Sequence, residues 1–232
     1  MDYLRGMVAS SIVSSLDTLV LDLQATLGQA KPGSVVLTTS FSKEDQLLTW
    51  AALKSGVDVD IVSLDTGCLF PATRQTWTET EAHFGCGIRS LEPEEADVAE
   101  LGALSDIYVD AGARKACCAA RKIRPLQKAC AGKDWWLTGL RKAHSANRSG
   151  MEQVEWDAHW GLHKYHPLLD WSDAALEAAV LATEVPVNPL YNMGYASIGC
   201  APCTRPVLPG EDVRAGRWWW EQSSKECGLH RG

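Results

Sequence analysis

The chain has 232 residues, 46% of them hydrophobic, and a formal net charge of −7. That length is enough for one sizeable core, and the acidic balance argues against a general nucleic-acid binder. No apolar run reaches the ~18 residues of a membrane span, and Met1-Asp2-Tyr3-Leu4-Arg5 lacks the basic start of a secretory signal, so the expected location is the cytoplasm.

Residues 7–28 carry Ile12, Leu16, Leu19, Val20 and Leu23 at helical spacing, and Gly28 with Pro32-Gly33 stops the helix. A short β-rich run follows at 34–39, then a polar turn and a helix over 43–54. A second buried strand is read at 57–64, a helix at 71–84 and a third strand at 87–91. Strands alternating with helices of this length predict βαβ units and a parallel sheet. Further along, 114–130 reads as helix, 135–139 as strand and 141–150 as a polar loop. Residues 172–183 form a helix opened by a Ser/Asp cap signal. The last fifty or so residues, rich in Gly, Pro, Cys, Arg and Trp, lack periodicity. No repeat or linker divides the chain. The expectation is one α/β domain over 1–232, with a mainly parallel central sheet flanked by helices, an N-terminal helical segment at 1–33 and an irregular C-terminal extension at 199–232.

Ligands of a parallel sheet sit at the carboxyl ends of its strands. Two such ends stand out. Thr39-Ser40-Phe41-Ser42-Lys43-Glu44-Asp45 joins a strand to a helix, and its hydroxyls and helix N-terminus offer donors to an anion. It lacks the glycines and the Gly-Lys-Ser/Thr ending of a Walker A loop, and alone it reads more readily as an ordinary capped helix start. Leu64-Asp65-Thr66-Gly67 ends the next strand and alone reads equally as a plain turn. Arg114, Lys115, Arg121, Lys122 and Arg124 crowd one segment, with Arg141, Lys142, Arg148, Arg205, Arg214 and Arg217 after it. A local basic surface on an acidic protein suits a small anion, although a solvated helix face gives the same pattern.

Eight cysteines in a cytosolic chain point to metal or redox chemistry rather than disulfides. Cys117 and Cys118 are adjacent, and Cys200 and Cys203 form Cys-x-x-Cys. Four thiolates suit tetrahedral zinc or a [4Fe–4S] cluster. An adjacent pair wraps a single ion poorly, whereas a cluster presents separate iron corners, so the spacing favours the cluster. Cys68, Cys86 and Cys130 read as small apolar residues. Cys227 stands apart in Lys225-Glu226-Cys227-Gly228-Leu229-His230, where neighbouring cations favour a thiolate and Gly228 offers a hinge.

Together, from about residue 34 to 230, these segments resemble the assimilatory adenylyl-sulfate (APS) and phosphoadenylyl-sulfate (PAPS) reductases. The cysteine pair, the Cys-x-x-Cys continuing as Thr204-Arg205-Pro206 and the Lys-Glu-Cys-Gly-Leu-His tail carry that resemblance. It implies an adenine-nucleotide α-hydrolase-like fold, with Ser40, Phe41 and Ser42 as a modified pyrophosphate loop and Leu64 and Asp65 on the nucleotide side. Gly139 falls in the same implied substrate set. It implies Cys227 as nucleophile, attacking the sulfonucleotide sulfur to give an S-sulfocysteine that thioredoxin resolves. Lys122, Arg148, Arg214, Arg217 and His230 are the implied substrate contacts, where cations would stabilise charge growing on sulfate and phosphate. Cys117, Cys118, Cys200 and Cys203 would hold one [4Fe–4S] cluster. Their presence accompanies APS rather than PAPS, while Lys43 in the loop departs from the usual small residue. Relatives are commonly homo-oligomers. Two other readings compete: an ATP pyrophosphatase, whose Ser-Gly-Gly-x-Asp-Ser loop is missing here, and a metal-stabilised sensor, which needs no nucleophile on its tail.

Overall fold

The computed structural model describes residues 2–144 and 148–221, with side chains from residue 11 onward. Helix α1 (Asp2–Leu27) turns Leu16, Leu19, Leu23 and Leu27 inward, each worth about 1.5–3 kcal/mol on full burial. It is followed by β1 (Val35–Thr39), α2 (Lys43–Ser55), β2 (Val59–Leu64), α3 (Pro71–Phe84) and β3 (Arg89–Leu91). Ser42 caps α2, accepting from the Asp45 N–H, and Gly56 closes it with φ +70°. Pro71 opens α3, where its missing N–H costs nothing.

Next come α4 (Glu95–Ala99), α5 (Ala111–Cys118) and α6 (Arg124–Cys130), then β4 (Trp135–Leu137), β5 (Val154–Asp157), β6 (Leu162–Tyr165) and α7 (Asp173–Thr183). A π-helical turn at Ala119–Ile123 joins α5 to α6. The helix expected over 114–130 is therefore one rod with a widened turn in its middle.

The six strands lie in the order β3-β2-β1-β4-β6-β5, parallel throughout except for β5, which runs antiparallel to β6. Strand residues alternate between two cores. Val35, Leu37, Ile61 and Leu137 face α1, α2 and α7, whereas Val36, Val62 and Trp136 face α6. The expected α/β class and mainly parallel sheet are thus observed. The β5–β6 hairpin was absent from the expected elements, and the reason is visible: Lys164 and Asp157 form an ion pair buried in it, so the hydrophobic alternation is broken. Among the described residues no helix is long and apolar enough to cross a membrane.

Candidate active site

The chain leaves β1 for β2 on one side, while β4 pairs with β1 on the other. This is a topological switch point, where a crevice opens beyond the strand ends. A cavity of about 580 Å³ lies there, lined by residues 38–45, 62–64 and 138–141, among others, a size suited to a nucleotide-like ligand. Ser40, Phe41 and Ser42 form one wall. Phe41 adopts φ +60°, a conformation costly for a residue with a Cβ. It is held by a bond from its N–H to Thr39 Oγ1 (3.1 Å) and by its ring packing on Trp77. The backbone at Ser40–Ser42 thereby curls across the N-terminus of α2, whose dipole favours an anion.

Asp45 fixes the loop from below. Its Oδ2 accepts from both the N–H and the hydroxyl of Ser40, at 2.7 Å each. Burial nevertheless pushes its carboxyl up to about 6, with the neighbouring Glu44 charge adding to the rise. Gly139 packs directly on this group: a Cβ there would lie 2.5 Å from Asp45 Oδ1 and 2.9 Å from Glu44 Cβ. Glu44 itself is buried, which by itself would raise its pKa. The hydrogen bond and charge of His144 and the charge of Arg141 outweigh that and hold it at about 2. Arg141 bonds Glu44 at 2.9 Å and Asp173 at 2.7 Å. Lys43 pairs with Glu177 at 2.5 Å and lies 4.9 Å from the Tyr191 ring centroid.

Leu64, Lys122, Arg148, Arg214 and Arg217 complete the cavity lining with Thr66 and Cys200. All the described candidates except Asp65 thus meet around one space. The Asp65 carboxylate lies against Arg74, at 2.6 and 2.9 Å, and its Oδ1 accepts from the Gly67 N–H.

Lys122, Cys200 and Arg217 also line a second pocket. Its other walls include Cys117 and Cys118, at the end of α5, and Cys203, in a 3₁₀ turn (Ala201–Cys203). All four candidate ligands therefore share one pocket. Burial raises the Cys200 thiol, but Lys122, a Thr66 hydroxyl at 3.3 Å and Arg217 outweigh it, so its pKa is lowered overall. Burial beside Cys200 and Cys118 pushes Cys203 up to about 12. Among the described residues, the buried donors Arg121 Nε, Arg217 Nε, Trp218 Nε1 and Trp220 Nε1 find no hydrogen-bond partner. Three of these residues line the pocket and Trp220 packs on the same cluster. Buried orphan donors around converging sulfurs fit a polynuclear iron–sulfide group, whose sulfides and thiolates accept such bonds. Among the described residues no three His, Cys, Asp or Glu side chains are drawn together as ligands of one ion.

The extension is clamped over this pocket. Trp218 is sandwiched between the guanidiniums of Arg114 (4.9 Å) and Arg217 (4.8 Å). Arg114 then forms a two-pronged ion pair with Glu221, at 2.6 and 3.0 Å. Cys227 and His230 lie outside the described residues.

Sequence reasoning named Glu44 and Asp45 only as the end of the polar loop and Arg141 only among the crowded basic residues, and it passed over His144; their roles lie in contacts between the ends of β1 and β4. It also read Cys68 as an apolar filler, whereas it lines the cysteine pocket. Only its backbone neighbours, not its spacing, reveal that.

Residues 34–206 match the model of the phosphoadenosine phosphosulfate reductase domain. The chain is 44% identical over 230 residues to adenosine 5′-phosphosulfate reductase of Agrobacterium fabrum, covering 96% of this chain and 88% of that one. It is 46% identical over 202 residues to the enzyme of the same name from Allochromatium vinosum, with coverage of 85% and 79%. In fold it is similar to crystalline phosphoadenylyl-sulfate reductase from Candida auris, with a TM-score of 0.64, 24% identity and coverage of 80% and 96%.

Proposed function

The chain belongs to the phosphoadenosine phosphosulfate reductase domain family, and from that premise we propose that it reduces adenosine 5′-phosphosulfate to sulfite and AMP. The observation that carries the reading is the shared wall: Lys122, Cys200 and Arg217 border both the strand-end cavity and the cysteine pocket. The nucleotide's phosphate lies against Ser40–Ser42 and the α2 N-terminus, with the sulfate among Lys122, Arg148, Arg214 and Arg217. These cations meet the charge that grows on the sulfate oxygens and the departing phosphate.

Cys227 is the nucleophile. Its thiolate attacks the sulfate sulfur, an S–S bond forms, and the S–O bond breaks with its electron pair leaving on AMP. One thioredoxin thiol then attacks the Cys227 sulfur and expels sulfite, and its second thiol attacks the resulting mixed disulfide, releasing the Cys227 thiolate as thioredoxin closes to its own disulfide. Cys227 lies six positions beyond Glu221, the clamped end of the described chain. Such a tether extends at most ~20 Å, which supports delivery of the thiol to the pocket mouth.

Cys117, Cys118, Cys200 and Cys203 would hold a [4Fe–4S] cluster. When bound it supplies structural cohesion and an electrostatic field, since a two-electron reduction by thioredoxin needs no cluster electron. Lys43 is already matched by Glu177, which supports a substrate without a 3′-phosphate over PAPS. The enzyme is read as cytoplasmic.

Replacing Cys227 with Ser tests the reading. Nucleotide binding and iron content stay, and sulfite formation with thioredoxin falls to background. Sulfite formed at the native rate would overturn the mechanism.

A further inference from the structure

A [4Fe–4S] cluster has four iron corners, yet the pocket that would receive it is lined by five cysteines. The fifth is Cys68. Its loop, residues 65–68, is bonded onto the cysteine turn. The Ala201 N–H, inside Cys200-Ala201-Pro202-Cys203, donates to the Cys68 carbonyl at 2.8 Å. The Cys68 N–H donates to Thr66 Oγ1 at 3.2 Å, and that oxygen lies 3.3 Å from Cys200 Sγ. Arg121 donates to the Thr66 carbonyl at 2.8 Å. Gly67 sits at φ +70°, where a Cβ would be 3.3 Å from Arg121 Nη1. The backbone of half-buried Cys68 is therefore held at the pocket wall by the Ala201 N–H and, through Thr66, by the Arg121 guanidinium.

Its surroundings match those of one ligand in particular. Cys68 and Cys117 both pack on the cluster of Ile107, Cys200, Cys203 and Trp218, and each thiol lies in the field of Arg121, Cys200 and Lys122. Cys118 lies near Arg114 and Cys203. Resting on the cluster reading above, we infer that Cys68 is a reserve ligand of this metal site, placed to take the iron corner of Cys117. The exchange is redox-neutral: a Cys68 sulfur–iron bond forms as the Cys117 bond breaks. Cys68 releases one proton and Cys117 takes one up, so the charge of the site is conserved.

The test compares iron and acid-labile sulfide in the anaerobically purified full chain and in the variants Cys68→Ala, Cys117→Ala, Cys118→Ala and Cys68→Ala/Cys117→Ala. The native chain and Cys68→Ala each hold roughly four irons. Cys117→Ala keeps most of its iron, the double variant loses it, and Cys118→Ala loses it although Cys68 is present. An iron-free Cys117→Ala, or equal iron in that variant and the double, overturns the inference and leaves the cluster standing. An iron-free native chain overturns both. Alkylation followed by mass spectrometry gives a readout independent of variant folding yield: Cys68 is modified in the native holoprotein and protected in Cys117→Ala. Protection of Cys68 in neither protein would overturn the exchange.

Discussion

Gly139→Ala places one methyl group at a tightly packed point of the strand-end cavity. The new Cβ would meet Asp45 Oδ1 at 2.5 Å, Glu44 Cβ at 2.9 Å and the Asp45 nitrogen at 3.4 Å. None of these is free to retreat. Asp45 is held by two bonds from Ser40, and Glu44 by Arg141 and His144, all on the inner side of the cavity. Overpacking of this kind costs about 1–3 kcal/mol. Relief by turning Asp45 away forfeits hydrogen bonds to a charged group, worth about 1.5–3 kcal/mol each. The expected loss is therefore about 2–3 kcal/mol in urea unfolding. AMP affinity falls at least tenfold, because the Ser40–Ser42 backbone moves with Asp45 and each 1.4 kcal/mol is a factor of about ten. Iron content reports separately on the cysteine pocket and stays unchanged. Native stability together with native AMP affinity, measured by calorimetry, would refute the reasoning.

Asp45→Asn tests the pH behaviour. With its pKa raised from 3.8 to about 6, the native state binds the proton more tightly than the unfolded chain, so stability falls as pH rises through roughly 4 to 6. The asparagine oxygen still accepts from Ser40 but does not titrate. Passing from pH 7 to pH 5 should therefore stabilise the native chain by about 1 kcal/mol relative to the variant; parallel urea curves at both pH values would defeat this. Glu221→Gln leaves Arg114 charged and half-partnered in a buried setting, with both side chains 9% exposed. Loss of a buried partner costs about 3–5 kcal/mol, seen as a lower urea midpoint, and an unshifted midpoint would show the clamp to be idle.

The sheet was legible because β1, β2 and β4 are short, largely apolar and β-branched or aromatic runs between helices, and α2 and α7 carry serine caps at Ser42 and Ser172. Patterning failed where buried charge replaced it, as in β5–β6. It also failed at the π turn after Cys118, which arises in a segment with no Gly or Pro before Pro125. The cavity's polar loop was visible as hydroxyls before a helix. Its supporting layer was not, since Arg141 meets Glu44 only once β4 lies beside β1. Lys122, four residues beyond Cys118 on the π turn, lines both pockets.

The partition made by Lys122, Cys200 and Arg217 couples the two chambers as surely as a hinge would. A change of charge behind it alters the potential felt by an anion in front, and linkage requires the effect to run equally in reverse. If occupancy of the cysteine chamber tightens nucleotide binding by some factor, bound nucleotide tightens retention in that chamber by the same factor. On the proposed reading, bound nucleotide would then help the cysteine chamber retain what it holds.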